Sequence, residues 1–234
     1  MWREYNFTAN FNAMPVNIKI FKVPLFLIVL LAGFAAGAQE NTPMYEDRTF
    51  YGGLILGGNF TQIDGDNFAG YTRKGLNAGG VVFFKMDEHI AASVEVLFSQ
   101  KGSVSKDPQV LAPGVYINKY GADLNYGEVP VMINYYDDRK NHFGGGLSYS
   151  RLATSNEYIT MTPSPTTPFK QEDYPFKKSD FNLLLGGNLH LYKGFFLNLR
   201  FQYSLISIRN TVPNITRGAQ FNNMWTIRLM YLFL

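Results

Sequence analysis

Residues 195–205 read Phe-Phe-Leu-Asn-Leu-Arg-Phe-Gln-Tyr-Ser-Leu, and this stretch decides the fold. Side chains alternate across an extended strand with a period of two, so one face of this segment is entirely apolar and the other is mostly polar. The polar face carries Asn198 and Arg200 in the middle of the strand. A strand of about 10 residues with this split is what a transmembrane β-barrel needs, with lipid outside and a packed polar lumen inside.

The same alternation recurs along the chain and predicts eight strands. We place them at residues 50–62, 76–85, 90–101, 123–136, 143–152, 181–192, 195–205 and 223–234. The connections alternate between long and short, and the long ones fall at residues 64–73, 102–121, 153–180 and 209–220. Bacterial outer-membrane barrels typically have short turns and both chain termini on the periplasmic side and long loops on the extracellular side. We therefore predict an all-β fold, an eight-stranded antiparallel up-and-down transmembrane barrel with no edge left unpaired in lipid.

The N-terminal region has the pattern of a secretory leader. An apolar run at residues 23–37 follows two lysines, ends in Ala36-Gly37-Ala38, and is shorter than the roughly 20 residues of a spanning helix. We predict a true start at Met14 and cleavage after Ala38, which makes residues 1–38 an N-terminal extension and signal peptide. A periplasmic tail at residues 39–48 and the barrel at residues 49–234 would follow. An N-terminal membrane anchor is the alternative.

Composition and motifs exclude several functional classes. The formal net charge is only +3 and the charges are scattered, so we expect no nucleic-acid binding. The chain has no Cys, which excludes a lipoprotein anchor. It also lacks the motifs of phosphate loops, zinc sites and nucleophilic hydrolases, so we expect no enzyme and no cofactor. Asp64, Asp66 and Asp123 could meet at the outer rim as an acid/base cluster. We expect no such catalytic cluster, because acidic residues in loops are usually solvated.

All three histidines fall near the periplasmic end of the predicted barrel. His89 lies in a turn, His142 just after one and His190 just before one. A metal site at this rim is one hypothesis, but no i, i+4 spacing or paired carboxylate supports ligation. We predict interfacial or lumen-lining histidines and no metal.

Charged residues on the lumen faces are the main candidates for a special role. Counting by twos places Glu95, Glu128, Arg200 and Arg228 inside the barrel. Eight strands leave an interior just wide enough for side chains to fill, and an unpaired charge there is costly. We predict a buried ion-pair and hydrogen-bond network that fills the lumen. A narrow gated ion path is the alternative.

Aromatic residues cluster at the predicted strand ends, as expected of girdles at headgroup level. We assign Phe84, Tyr136, Phe195 and Phe233 to the periplasmic girdle. Tyr203 and Trp225 are assigned to the outer one.

Residues 124–131 read Leu-Asn-Tyr-Gly-Glu-Val-Pro-Val and resemble the L-x-Y-x-E-[IV]-P-[VL] strand of the PorT-type outer-membrane β-barrel family. Tyr126, Glu128 and Pro130 occupy the motif positions. Residues 144–149, Gly-Gly-Gly-Leu-Ser-Tyr, resemble the Gly-rich strand that follows it in that family. The resemblance implies an eight-stranded barrel in the outer membrane and, for PorT itself, a role in protein secretion. Pro130 removes one donor from the strand ladder, so it predicts a bulge or a break in the lumen wall, or serves packing.

These observations together predict a non-enzymatic barrel of the cell outer membrane that serves structure, adhesion or assembly through its extracellular loops. The expected partners are outer-membrane lipid and lipopolysaccharide, the barrel-assembly machinery during insertion, and a protein bound at the loops. The first alternative is a narrow, porin-like channel for ions or small solutes, and the next is a component of a protein secretion machinery. A soluble lipocalin-like binder would need apolar lumen faces and polar outer faces, the reverse of the last three predicted strands.

Overall fold

The computed structural model describes residues 48–233 except 69, 106, 165–168 and 214. The predicted signal peptide, its cleavage point and nearly all of the predicted periplasmic tail lie outside these residues. The strands are β1 Phe50–Asp64, β2 Arg73–Lys85, β3 Ile90–Val104, β4 Gln109–Ala112, β5 Val115–Tyr136, β6 His142–Thr162, β7 Ser179–Tyr192, β8 Phe195–Ser204 and β9 Phe221–Leu232. A short 3-10 helix, Gln171–Asp173, lies between β6 and β7. The described residues include no helix long and apolar enough to cross a membrane.

Eight of the nine strands close into a ring. Every neighbour is antiparallel, β9 pairs with β1, and β3 pairs with β5, so the sheet has no open edge around the barrel. The short β4 pairs only with the first residues of β5 and lies outside the ring. The prediction of an eight-stranded antiparallel barrel is therefore confirmed.

One of the predicted loops is mostly strand, and another is partly strand. Residues 102–121 contain the end of β3, all of β4 and the start of β5, and β6 continues to Thr162 inside the segment predicted as a loop at residues 153–180. The β5–β6 register shifts between Ile117 and Lys119 and again between Asn125 and Tyr126. Each shift reverses the facing of the residues beyond it, so the period-two pattern disappears while the backbone pairing continues.

The two faces of β8 separate as the alternation predicts. Phe196, Asn198, Arg200, Gln202 and Ser204 are all buried in the lumen. On the outer face, Leu197 is 41% exposed, Leu199 49% and Leu205, just past the strand end, 54%. Apolar side chains outside and polar ones inside are the arrangement of a barrel that lies in lipid.

Packed side chains close the lumen at both ends. At the periplasmic end, the rings of Phe83, Tyr136, His142 and Phe196 pack together, with Tyr136 and His142 stacked at 4.2 Å between centroids; we call these four the periplasmic plug. At the extracellular end lies a buried apolar cluster that we call the outer plug: Ile63, Phe68, Ile117, Tyr120, Ala122, Leu124, Tyr126, Leu152, Phe176 and Ile208. The polar centre of the lumen lies between the two plugs.

Candidate functional site

Glu95 joins two arginines at the centre of the lumen. Arg200 donates to it in a forked pair, with Nη1 at 2.9 Å from Oε2 and Nη2 at 2.5 Å from Oε1. Arg228 Nη1 lies 2.9 Å from Oε2, and its Nε donates to the Asn198 side chain at 2.8 Å. All three charged side chains are at most 4% exposed. The forked contact of Arg200 has the bidentate geometry in which Arg–carboxylate pairs are strongest.

Glu128 belongs to a second half of the same interior. Its Oε1 accepts hydrogen bonds from Ser148 at 2.8 Å and Gln202 at 2.7 Å, and its Oε2 lies 3.3 Å from Lys101 Nζ. Lys101 also lies 3.6 Å from Asp180 Oδ2 and 5.0 Å from the centre of the Tyr126 ring. The structure thus brings Arg200 and Arg228 onto Glu95, whereas Glu128 binds Lys101.

Six ionisable side chains form what we call the lumen network: Glu95, Lys101, Glu128, Asp180, Arg200 and Arg228. Three cations face three carboxylates, so the buried charge is balanced. Sequence reasoning assigned four of the six. Lys101 shares the inward face of β3 with Glu95, and Asp180 shares that of β7 with Asn182. Lys101 ends the predicted strand 90–101 on that face but was not named as part of the network, and Asp180 lies one residue before the predicted strand 181–192.

Glycines on the lumen wall make room for these long side chains. Gly57 pairs with Arg228, and a Cβ at Gly57 would collide with the Ile227 carbonyl oxygen and the Arg228 backbone. Gly186 pairs with Arg200, and a Cβ there would lie 3.1 Å from the Leu199 carbonyl oxygen. Each of the two arginines therefore lies opposite a residue without a side chain on one of its two neighbouring strands.

The motif residues Tyr126 and Pro130 both face the lumen. Tyr126 is fully buried, and its hydroxyl accepts from the Asn222 side chain at 3.3 Å. The β3–β5 pairing runs to Val94↔Val131 and resumes at Leu97↔Glu128, so the ladder is interrupted beside Pro130. This is where the missing N–H of a proline costs least.

A second buried ion pair ties the extracellular loops together. Arg209, between β8 and β9, forks onto Glu157 of β6 with distances of 2.6 and 2.9 Å. Tyr120 of β5 donates to the same carboxylate at 2.8 Å, and the Arg209 guanidinium lies 4.1 Å from the Phe176 ring centre. Phe68, from the first loop, stacks on Tyr120 at 4.1 Å. All four predicted long loops therefore contribute a residue to one centre over the outer plug.

The three rim aspartates each bind different groups. Asp123 pairs with Arg73 at 2.7 Å, and Asp64 accepts from Gln62 and Asn223. Asp66 is buried and accepts the Phe68 N–H at 2.8 Å. Burial raises the pKa of Asp66 to about 6, against the opposing effects of the Phe68 N–H, Ser103 and Arg217.

The histidines bind neighbouring groups of the chain. His89 hydrogen-bonds the Tyr136 carbonyl at 3.1 Å, and His190 hydrogen-bonds the Lys193 carbonyl at 2.8 Å. His142 lies in the periplasmic plug. No group of three His, Asp or Glu side chains suited to a metal occurs among the described residues.

Aromatic pairs line the outer surface at both ends of the strands. At the periplasmic end Phe84 packs on Phe50 at 5.2 Å and Phe195 on Tyr231 at 4.7 Å, and Phe233 is 50% exposed. At the other end Trp225 packs on Phe201 at 5.1 Å, and Tyr203 stacks on Phe221 at 6.3 Å.

The assignment of Tyr136 to the periplasmic girdle was wrong. Its side chain is only 6% exposed and lies in the lumen, while Tyr135 is 49% exposed on the outer face. The alternation of β5 carries through to its last residue, which places Tyr136 on the same side as Glu128.

The longest strands project beyond the membrane. β5 has 22 residues and β6 has 21, whereas β8 has 10. At about 3.3 Å per residue and a tilt of about 40°, β5 spans about 55 Å along the barrel axis, against an apolar band of about 25 Å. The extracellular part of the sheet consists of β4, residues 115–123 of β5 and residues 154–162 of β6. We call it the protruding sheet.

One face of the protruding sheet packs on the outer plug and the other is open. Leu111, Ile159 and Met161 pack inward. The open face carries seven exposed side chains: Val110, Tyr116, Lys119, Asn156, Tyr158, Thr160 and Thr162. Val110 is 71% exposed, Tyr116 43% and Tyr158 45%. Val110 pairs with Tyr116 in register, and the Tyr158 ring lies across Gly121. Aromatic and hydroxyl side chains fixed on paired strands make a rigid surface in water.

Solved structures similar to this chain include two outer-membrane proteins. The chain is similar to Ail, the attachment invasion locus protein of Yersinia pestis, which was solved in complex with the heparin analogue sucrose octasulfate. The TM-score is 0.41 and the sequence identity is 8%, and the match covers 80% of this chain and 100% of the Ail chain. The chain is also similar to the outer membrane protein AlkL, solved by solid-state NMR in DMPC bilayers, with a TM-score of 0.37 and 14% identity over 84% of this chain and 97% of that one. No curated protein sequence matches the chain significantly. The identities are too low to carry over a ligand or an activity.

A family model described as an outer membrane protein beta-barrel domain matches residues 37–210, which is more than half of the 234 residues. The closed ring, the apolar outer faces and the polar lumen are the physical features that such a location requires. The chain therefore belongs to the outer membrane protein beta-barrel domain family, and its location is the outer membrane.

Proposed function

We propose that this protein is a non-enzymatic outer-membrane barrel that presents the open face of the protruding sheet to a protein partner outside the cell. The observation that carries the proposal is the set of exposed Tyr, Thr and Val side chains on strands held well above the membrane. Exposed apolar groups cost free energy in water, and aromatic residues are enriched at binding surfaces. The buried fastening of Arg209, Glu157 and Tyr120 beneath this face adds rigidity, which lowers the entropy lost on binding.

The closed lumen argues against the channel alternative. Solute would have to pass the outer plug, the lumen network and the periplasmic plug, each built from buried, packed side chains. Steady conductance of the wild-type protein in planar bilayers, altered by Arg200→Ala or Glu128→Gln, would favour a channel instead. The role in secretion implied by the resemblance to PorT, and cleavage of a signal peptide after Ala38, stay predictions.

Attachment of cells that express the barrel tests the proposal. We expect Tyr116→Ser with Tyr158→Ser and Val110→Ser to reduce attachment to neighbouring cells or protein-coated surfaces at least tenfold. Tyr174→Ser is the matched control, because Tyr174 is exposed on an extracellular loop but lies outside the protruding sheet. A heat-modifiable gel shift checks that each variant is folded. Unchanged attachment by the folded triple variant, or an equal loss in the control, would refute this role.

A further inference from the structure

Three exposed cations lie on the extracellular side of the Tyr149–Phe181 aromatic pair, one on β6 and two just before β7: Arg151, Lys177 and Lys178. Tyr149 and Phe181 form a girdle pair with ring centres 5.1 Å apart. Arg151 follows Tyr149 by two residues on the same outer face and pairs in register with Ser179. At the rise and tilt of a barrel strand, this places Arg151 roughly 5 Å further out than the girdle. That is the depth of the lipid headgroups.

Hydroxyl groups hold two of these cations. Arg151 Nη1 donates to Ser179 Oγ at 3.4 Å, and the Tyr149 and Ser179 hydroxyls lie 3.1 Å apart. Lys177 Nζ donates to Ser207 Oγ at 2.6 Å. None of the ion pairs in the described part of the chain involves Arg151, Lys177 or Lys178. The cluster therefore keeps its positive charge.

Apolar side chains lie immediately below the cations on the same surface. Phe181 is 47% exposed, Leu183 43% and Leu205 54%, and the Leu205 N–H donates to the Phe181 carbonyl at 2.7 Å. Positive charge above and exposed apolar surface below match a molecule with an anionic head and acyl chains. Hydrogen-bonding cations favour phosphate as the head.

We propose that Arg151, Lys177 and Lys178 bind the phosphate groups of a lipid A-type glycolipid in the outer leaflet, with its acyl chains against Phe181, Leu183 and Leu205. The guanidinium offers a fork for phosphate oxygens, and the two ammonium groups offer point charges. Headgroup-level basic residues strengthen the binding of anionic lipids. This inference depends on the outer-membrane location and not on the adhesive role of the protruding sheet, so the two can fail separately.

The test counts lipid retained by the folded protein. The full barrel is incubated in mixed vesicles of phosphatidylcholine and bisphosphorylated lipid A, extracted, and weighed by native mass spectrometry. We expect the wild type to retain lipid A, and Arg151→Gln with Lys177→Gln and Lys178→Gln to lower its occupancy at least tenfold. Lys119→Gln removes one exposed charge on the protruding sheet and should leave lipid A occupancy unchanged. Inorganic phosphate added as a competitor at about 10 mM should also leave it unchanged, because that concentration screens only weak electrostatic binding.

Three results would overturn the site. The first is equal retention of lipid A by the folded triple variant and the wild type. The second is equal retention of lipid A from which both phosphates have been removed. The third is displacement of lipid A by inorganic phosphate, which would mean that free anion and not lipid is the ligand.

Discussion

Replacing Glu95 with Gln removes the carboxylate that two buried arginines share. At an effective dielectric constant of about 20, unit charges about 4 Å apart attract by about 4 kcal/mol, so the two contacts amount to about 8 kcal/mol. The variant no longer has to bury a charged carboxylate, which recovers several kcal/mol of desolvation free energy. The net cost of breaking a buried ion pair is therefore typically about 3–5 kcal/mol. We expect Glu95→Gln to lower the free energy of unfolding by about 3–5 kcal/mol, because Arg200 and Arg228 are left without a counter-charge.

Urea titration of the barrel in lipid vesicles, followed by tryptophan fluorescence, measures this loss. Glu88→Gln makes the same chemical change in an exposed turn and should change the unfolding free energy by less than about 0.5 kcal/mol. Adding Arg228→Gln to Glu95→Gln restores the charge balance, so the double variant should be more stable than the sum of the single losses by about 1–3 kcal/mol. Strict additivity, or a Glu95→Gln loss no larger than that of the control, would refute the shared-carboxylate account.

Three further predictions concern the first loop, the lipid face and the lumen wall. The pKa of Asp66 is about 6 in the folded protein against an ordinary 3.8, so folding takes up a proton at pH values between these two. The free energy of unfolding therefore falls by about 3 kcal/mol in total as pH rises from about 4 to 6. Asp66→Asn should abolish this pH dependence in urea titrations. Leu199→Arg puts a cation in the apolar band and should cost about 2–4 kcal/mol in the same assay. Gly57→Ala should cost about 1–3 kcal/mol, while Gly127→Ala, where a Cβ meets nothing within 4 Å, should cost almost nothing. A flat pH profile in the wild type, no loss of stability for Leu199→Arg, or equal losses for Gly57→Ala and Gly127→Ala would contradict these assignments.

The fold could be predicted from the sequence because lipid imposes a simple rule on the outer face. Within the membrane every second residue of a strand must be apolar, and β8 and β9 obey this without exception from Leu197 to Leu199 and from Ile227 to Tyr231. Above the membrane both faces of β5 and β6 meet water or protein, so the rule no longer applies. The bulges beside Asn118 and Ala153 then reverse the facing of the residues beyond them. The protruding sheet was consequently read as loop.

The lumen residues were predictable singly but not as partners. Counting by twos places Glu128 and Arg200 inside, yet which cation meets which carboxylate depends on the stagger of strands around the ring. Leu97↔Glu128 and Gly186↔Arg200 are register pairs that no local pattern specifies. The Arg209–Glu157 pair joins residues from a loop and an extended strand, and neither carries a periodic signal.

In the membrane-spanning parts of the strands, apolar side chains point to lipid and ionisable ones point to the barrel axis. The chain has no native Cys, so single spin labels can be attached after Leu199→Cys, Leu229→Cys and Thr226→Cys. Collision with dissolved oxygen, measured by electron paramagnetic resonance in vesicles, reports contact with the hydrocarbon. We predict strong oxygen relaxation at the first two positions and none at Thr226, which is buried beside Arg200 in the register. Oxygen-accessible label at Thr226 together with shielded labels at Leu199 and Leu229 would contradict the account.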